Sequence, residues 1–194
     1  MRVLCRLKFC WLLLVLASFG VRATTYTVTS SADSGGTCPD AANCTLRDAI
    51  TAASSGMDII VFNGDMTITL ASTLTLTNSV TVDATGNNVT VDGNHAVTVF
   101  QVNAGATAQI THLTIQNGSS HTGSGIYNQG TLTLADSTLS NNSAIGTPGP
   151  AGPNNYNANG GKGGSGDPGG AGQGGGIYNS GALTLRPAFI SSLT

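Results

Sequence analysis

The side chains able to do chemistry in this 194-residue chain are few: nine acidic residues, all aspartate, three histidines and four cysteines. Cleavage of a polysaccharide needs clustered carboxylates, paired as acid and base or holding calcium, together with a group that takes a proton. Asp83 and Asp92 are close enough in sequence to lie on adjacent strands, and His95 or His112 could serve as the base. Both aspartates, however, open turn-forming sequences, Asp83-Ala-Thr-Gly86 and Asp92-Gly-Asn94, in which a carboxylate commonly bonds its own backbone. No Lys or Arg lies between Arg47 and Lys162 to take that proton. The turn reading is therefore preferred, and no catalytic residue is assigned.

Metal chemistry is no better supplied. His121, in Ser-Ser-His-Thr-Gly, lacks ligand spacing and reads as a solvated side chain. Cys38 and Cys44 offer too few ligands for a structural zinc. Gly163-Gly-Ser-Gly-Asp167 departs from the calcium-binding Gly-Gly-x-Gly-x-Asp unit, because its Asp comes one position early and the unit does not repeat. No metal or cofactor site is expected. In an oxidising compartment Cys38 and Cys44 could close a short-loop disulfide, and two buried thiols are the alternative.

The compartment follows from the first residues. Arg2, Arg6 and Lys8 precede an apolar run from Phe9 to Phe19, and Val21-Arg22-Ala23 supplies a small-residue cleavage site, the pattern of a secretory signal. About 11 apolar residues fall short of the roughly 20 needed to span a bilayer. Cleavage is expected between Ala23 and Thr24, and no transmembrane segment follows in the mature chain. Of the seven basic residues three then remain, against nine acidic ones, a net charge of −6. That balance argues against nucleic acid or an anionic membrane as partner.

The elements that would position these residues are strands. Aromatic residues make up 5% and charged residues 8% of the chain, while Val, Ile and Leu alternate with Thr in short bursts. β-Branched side chains suit a pleated surface, so an all-β fold is expected. A strand is predicted within Thr24–Ser31. Thr45 then caps a short helix, with Asp48 three residues on and Leu46, Ala49, Ile50 and Ala53 on one face, ending near Gly56. Further strands are predicted at Ile59–Phe62, Ile68–Leu70, Leu74–Leu76, Val80–Val82, Val89–Val91 and Val97–Val99.

Repetition arranges the strands. Val89-Thr-Val-Asp-Gly-Asn aligns with Leu113-Thr-Ile-Gln-Asn-Gly at a spacing of 24, with Ser137-Thr-Leu-Ser-Asn-Asn as a looser copy. Gly125-Ile-Tyr-Asn-Gln-Gly-Thr-Leu-Thr-Leu134 recurs from Gly176 to Leu185 at a spacing of 51. Subtracting the 27-residue tract 147–173, which holds four of the six prolines, returns 24. A period in the twenties with several short strands per repeat marks a solenoid. Leu132, Leu134, Leu183 and Leu185 should stack inside it, and Asn128 and Asn179 should form an asparagine ladder at a turn.

The expected architecture is a single-stranded right-handed parallel β-helix solenoid with a short N-terminal capping helix. Residues 1–23 are the signal peptide, 24–56 the cap with the Cys pair and helix, and 57–146 the coils. Residues 147–173 are a flexible Gly/Pro-rich insertion, and 174–194 a last, incomplete coil.

Thr27-Val-Thr-Ser30, Cys38 and Cys44-Thr-Leu-Arg-Asp-Ala-Ile50 resemble the N-terminal module named for its Cys-Ser-Leu-Arg-Glu-Ala motif, with Thr45 for Ser and Asp48 for Glu. The Gly-Gly-Gly-Ile-Tyr-Asn-Ser-Gly-x-Leu-Thr-Leu repeat resembles the right-handed, pectin-lyase-like repeats that follow this module in large bacterial surface proteins. Phe100-Gln-Val-Asn103 with Gly174-Gly-Gly-Ile177 is similar, more weakly, to polymorphic outer-membrane repeats. The resemblance implies exposure at or beyond the bacterial outer surface, usually in longer chains. After Leu185 the sequence departs from the repeat, and Pro187 lacks the amide a ladder needs, so the chain reads as the beginning of a surface protein. The function expected is that of a non-enzymatic, adhesin-type scaffold whose partners are extracellular glycans or surface proteins. The alternative is a polysaccharide lyase or glycoside hydrolase on the same fold.

Overall fold

The computed structural model describes residues 23–39, 42–53, 56–150 and 169–191. Residues 1–22, where a leader is expected, and residues 151–168 of the insertion with Gly163–Asp167, lie outside the described residues. The cap holds β1 (Thr25–Val28) and α1 (Leu46–Ala52). The winding begins with β2 (Asp58–Phe62), β3 (Met66–Thr69) and β4 (Leu74–Leu76), then β5 (Val80–Asp83), β6 (Val89–Asp92) and β7 (Phe100–Val102). Next come β8 (Thr107–Thr111), β9 (Leu113–Gln116), β10 (Ser119–Ser120) and β11 (Ile126–Asn128). They are followed by β12 (Thr131–Ala135), β13 (Thr138–Ser140), β14 (Ser143–Ala144) and β15 (Ile177–Asn179), and last by β16 (Ala182–Leu185) and β17 (Phe189–Ser191).

These strands fall into three stacked sheets visited in cyclic order. Sheet A runs β1-β2-β5-β8-β12-β16, sheet B β3-β6-β9-β13-β17 and sheet C β4-β7-β11-β15, with β10 and β14 as a small fourth pair. Every strand pairing is parallel. The fold is thus an all-β parallel β-helix, with backbone hydrogen bonds running along the solenoid from coil to coil.

The repeat found in the sequence is the register of the coils. Leu113 sits over Val89 and Thr138 over Thr114, each 24 residues on, and Ile126 pairs with Ile177 and Leu132 with Leu183 across the insertion. Elsewhere the coil length varies: Val80 lies 22 residues past Asp58, Phe100 26 past Leu74, and Ala108 28 past Val80. Five residues, 84–88, turn the corner between β5 and β6. In the next coil a single residue, His112, turns it, in left-handed backbone with φ 58°. Asp136 repeats this corner at φ 46°, and Asn117 and Asn141 turn the following one at φ 53° and 54°. Asn and Asp tolerate that conformation better than other side chains.

Alternation along each strand sends one face inward. Ile60, Val82, Ile110 and Leu134 form one fully buried column, continued by Leu185. Ile68, Val91, Ile115 and Leu139 form another. Each such side chain contributes about 1.5–3 kcal/mol by leaving water. Leu183 is half-buried and Leu185 exposed, because among the described residues no strand pairs with the far side of β16.

Two local expectations change. Val97–Val99 is a bend, and the strand is β7, beginning at Phe100. The Val97 and Ala96 amides bond the Gly93 carbonyl, so the chain is still turning there. Val99 and Phe100 are both buried, which a continuous period-two strand forbids. In the cap, Thr45 accepts from the Asp48 amide as expected. The Asp48 carboxylate, however, accepts from the Gly36 amide and the Thr45 hydroxyl, joining the helix start to the preceding loop.

Cys38 and Cys44 form a disulfide with their Cα atoms 4.8 Å apart. The Cys44 carbonyl receives the amides of Thr29 and Ser30, so the bridged loop hangs on the end of β1. Leu46 and Ala49 of α1 are buried, and the helix contacts β1, β2 and β4. Arg47 ties it down: Nη2 meets Asp33 Oδ1 at 2.7 Å and the Ser72 carbonyl at 2.6 Å, and Nη1 meets the Thr73 carbonyl at 3.0 Å.

Candidate functional site

The titratable residues singled out from the sequence do not converge. Asp83 ends β5 in sheet A, with Val61 and Thr111 as its register neighbours, whereas Asp92 ends β6 in sheet B, beside Thr69 and Gln116. Each builds a turn: Asp83 Oδ1 accepts the Thr85 amide at 2.9 Å, and Asp92 Oδ1 the Asn94 amide at 2.7 Å. Asp92 Oδ2 further accepts from Gln116 Nε2 and Asn117 Nδ2, at 2.8 and 2.7 Å. Burial pushes the Asp92 carboxyl up, but the bonds from Gln116, the Asn94 amide and Asn117, with the charge of His95 nearby, hold it below the usual carboxylate range. A low, hydrogen-bond-saturated carboxylate is a poor general acid or base at neutral pH.

The histidines are likewise engaged in structure. His112 is a corner residue whose Nδ1 lies 3.0 Å from Thr85 Oγ1, and His95 has left-handed backbone with φ 52°. His121 was expected to be solvated; it is exposed, but its Nδ1 also lies 2.5 Å from the Ile145 carbonyl. Among the described residues no group of three or more His, Cys, Asp or Glu side chains could hold a metal ion.

The asparagine pair does form a ladder. Asn128, fully buried, donates from Nδ2 to Asn179 Oδ1 at 2.6 Å and to the Ala182 carbonyl at 2.9 Å. Its Oδ1 receives the Gly130 amide at 3.1 Å. The glycines of this repeat are steric: a Cβ on Gly125 would run into the Gly176 carbonyl, and one on Gly181 into that of Gly130. Asn142, which the sequence reading passed over, is buried as well. It accepts the Gly118 amide at 2.8 Å and donates to the Ile115 carbonyl at 3.0 Å.

The feature best suited to contact a ligand lies between the two copies of Ile-Tyr-Asn. The strand pleat turns Ile126 and Asn128 inward and Tyr127 outward, and β15 repeats the register, so Tyr178 stands over Tyr127. Their rings stack with centroids 5.4 Å apart and planes 15° from parallel. Gln101 of β7 is the next residue in the same outer column. Beside this column lies an open groove of about 340 Å³, completed by Thr73, Thr98, Thr122 and Gln173. Gln173, on the returning limb of the insertion, is bridged to Thr122.

All seven lining residues are uncharged. The walls combine two phenol rings with two amides and three threonine hydroxyls, a surface offering apolar stacking and donor and acceptor groups together. Repetition of Ile-Tyr-Asn was the available sign, since an aromatic at an outward strand position in both copies must stack when the copies are in register. The chain matches no protein-family model and no curated protein.

Proposed function

We propose that this chain is an exported β-helix scaffold that binds neutral glycans in the Tyr127–Tyr178 groove. The single observation carrying the reading is the stacked tyrosine pair set in an uncharged, amide- and hydroxyl-lined groove. A pyranose ring offers an apolar face of C–H groups and a rim of hydroxyls, the complement of such a surface. Among the described residues the groove offers no cation to an anionic sugar. Export is supported by the leader pattern of residues 1–23 and by the Cys38–Cys44 disulfide, which persists in oxidising compartments. The likeness of residues 27–50 to the Cys-Ser-Leu-Arg-Glu-Ala module, and of the repeats to right-handed surface β-helices, supports a place at the bacterial exterior. The role of Arg47 in tying the cap helix to the first coil gives that motif a structural reason.

The test is a screen of the purified chain against neutral and anionic oligosaccharides, followed by calorimetry on the best ligand. Y127A and Y178A should each weaken binding about tenfold or more, the effect of losing roughly 1.4 kcal/mol, while D83N should leave it unchanged. Binding that survives the double tyrosine variant, or preference for anionic sugars, would refute this assignment.

A further inference from the structure

One inward position of sheet A does not follow the pattern of the others. Along the column of Val80, Ala108, Leu132 and Leu183 every member is aliphatic, but the first is Asp58. The alternation that buries Ile60 and Phe62 buries Asp58 too, at 1% exposure. A carboxylate there loses its hydration, which is costly unless partners compensate. The residue stacked next to it, one before β1, is Thr24. The Thr24 backbone nitrogen donates to Asp58 Oδ1 at 2.8 Å, while its carbonyl accepts the Ile59 amide at 2.9 Å. Asp58 therefore holds a main-chain nitrogen. That nitrogen belongs to the residue expected to become the first of the chain once the leader is removed.

We infer that Asp58 is a receptor for the new N-terminus: hydrolysis of the Ala23–Thr24 bond places the α-ammonium of Thr24 against the Asp58 carboxylate. This rests on the export reading and is independent of the glycan reading. Water is the co-reactant and an export peptidase the catalyst. The C–N bond breaks, the carbonyl of Ala23 takes the hydroxyl and leaves as a carboxylate, and the Thr24 nitrogen takes the protons to become an ammonium. Ala23 and Thr24 are both exposed, so the bond is open to a peptidase. In the precursor the Thr24 nitrogen reaches Asp58 as a neutral amide; in the product it reaches the same oxygen as a cation, and a charge-assisted bond is roughly twice as strong. Removal of the leader thereby fastens β1, and the cap hanging from it, to the first coil.

Two measurements test this. The intact mass of the chain exported by a bacterial host should correspond to a start at Thr24; a different start overturns the inference, because no ammonium would then reach Asp58. Melting temperatures are then compared for chains starting at Thr24 and chains carrying a short neutral extension ahead of Ala23, each with Asp58 or D58N. The extension should lower Tm by about 4 °C or more with Asp58 and by less than about 1 °C with D58N. Equal shifts in both backgrounds overturn the pairing even where the start at Thr24 holds, so the two failures are told apart. If D58N does not fold, acylation of the Thr24 amine in the folded and the urea-unfolded chain replaces it. Protection of about tenfold or more on folding, an effect of roughly 1.4 kcal/mol, supports the pairing, and equal rates refute it.

Discussion

Replacing Asn142 by alanine tests whether this solenoid is held by buried polar bridges as well as by its apolar columns. Asn142 has 1% exposure and joins two backbone groups of the preceding coil, the Gly118 amide and the Ile115 carbonyl. Alanine leaves both without that partner in a place where each unsatisfied group costs about 1–3 kcal/mol, so a loss of about 3 kcal/mol is expected. For a chain of this length that is a fall of about 6–12 °C in Tm, measurable by circular dichroism. N142D sharpens the test. Its Oδ1 can still accept from Gly118, but its second oxygen faces the Ile115 carbonyl and cannot donate while ionised. Burial raises the native pKa of that carboxyl above the unfolded value of about 4. The penalty is therefore absent below that pH and grows as pH rises through the native value. Relative to wild type, N142D should be far less stable at pH 7 and close to it at pH 3. A Tm of N142A within about 1 °C of wild type, or a pH-independent defect in N142D, would refute the reasoning.

The disulfide spans a sequence separation of six residues, and closing so short a loop is worth about 2 kcal/mol on the chain-entropy model. Reduction, or C38S with C44S, should lower Tm by about 4–8 °C, and an unchanged melt would remove the bridge from the stability of the cap. The lowered Asp92 carboxyl contributes stability that is present above its unfolded pKa and lost as pH falls through the native one. D92N should therefore shrink the drop in Tm between pH 7 and pH 3. Because the group is only partly buried the change should stay under about 1 kcal/mol, and an unaltered acid profile would contradict the hydrogen bonds assigned to it.

The sequence by itself determined the in-and-out pattern and the winding. Period-two bursts identify which side chains face inward, and the 24-residue spacing identifies how the later bursts stack, because in a solenoid each coil contacts only its neighbours. The corners and the disulfide were legible for a similar reason: Asp83-Ala-Thr-Gly86, Asp92-Gly-Asn94 and Cys38 with Cys44 act over a few residues. What the tertiary structure alone decided depends on partners a whole coil or more away. The parity break at Val99 and Phe100 appears only when the corner from Gly93 is closed. Asn142 reads as one asparagine among many until Ile115 and Gly118 lie beneath it. Tyr127 and Tyr178, 51 residues apart, become one surface only through register across the insertion, and Gln173 joins them by the path of the returning limb. Asp58, placed among aliphatic positions, shows its partner only once β1 lies beside β2 with the Thr24 nitrogen at its carboxylate.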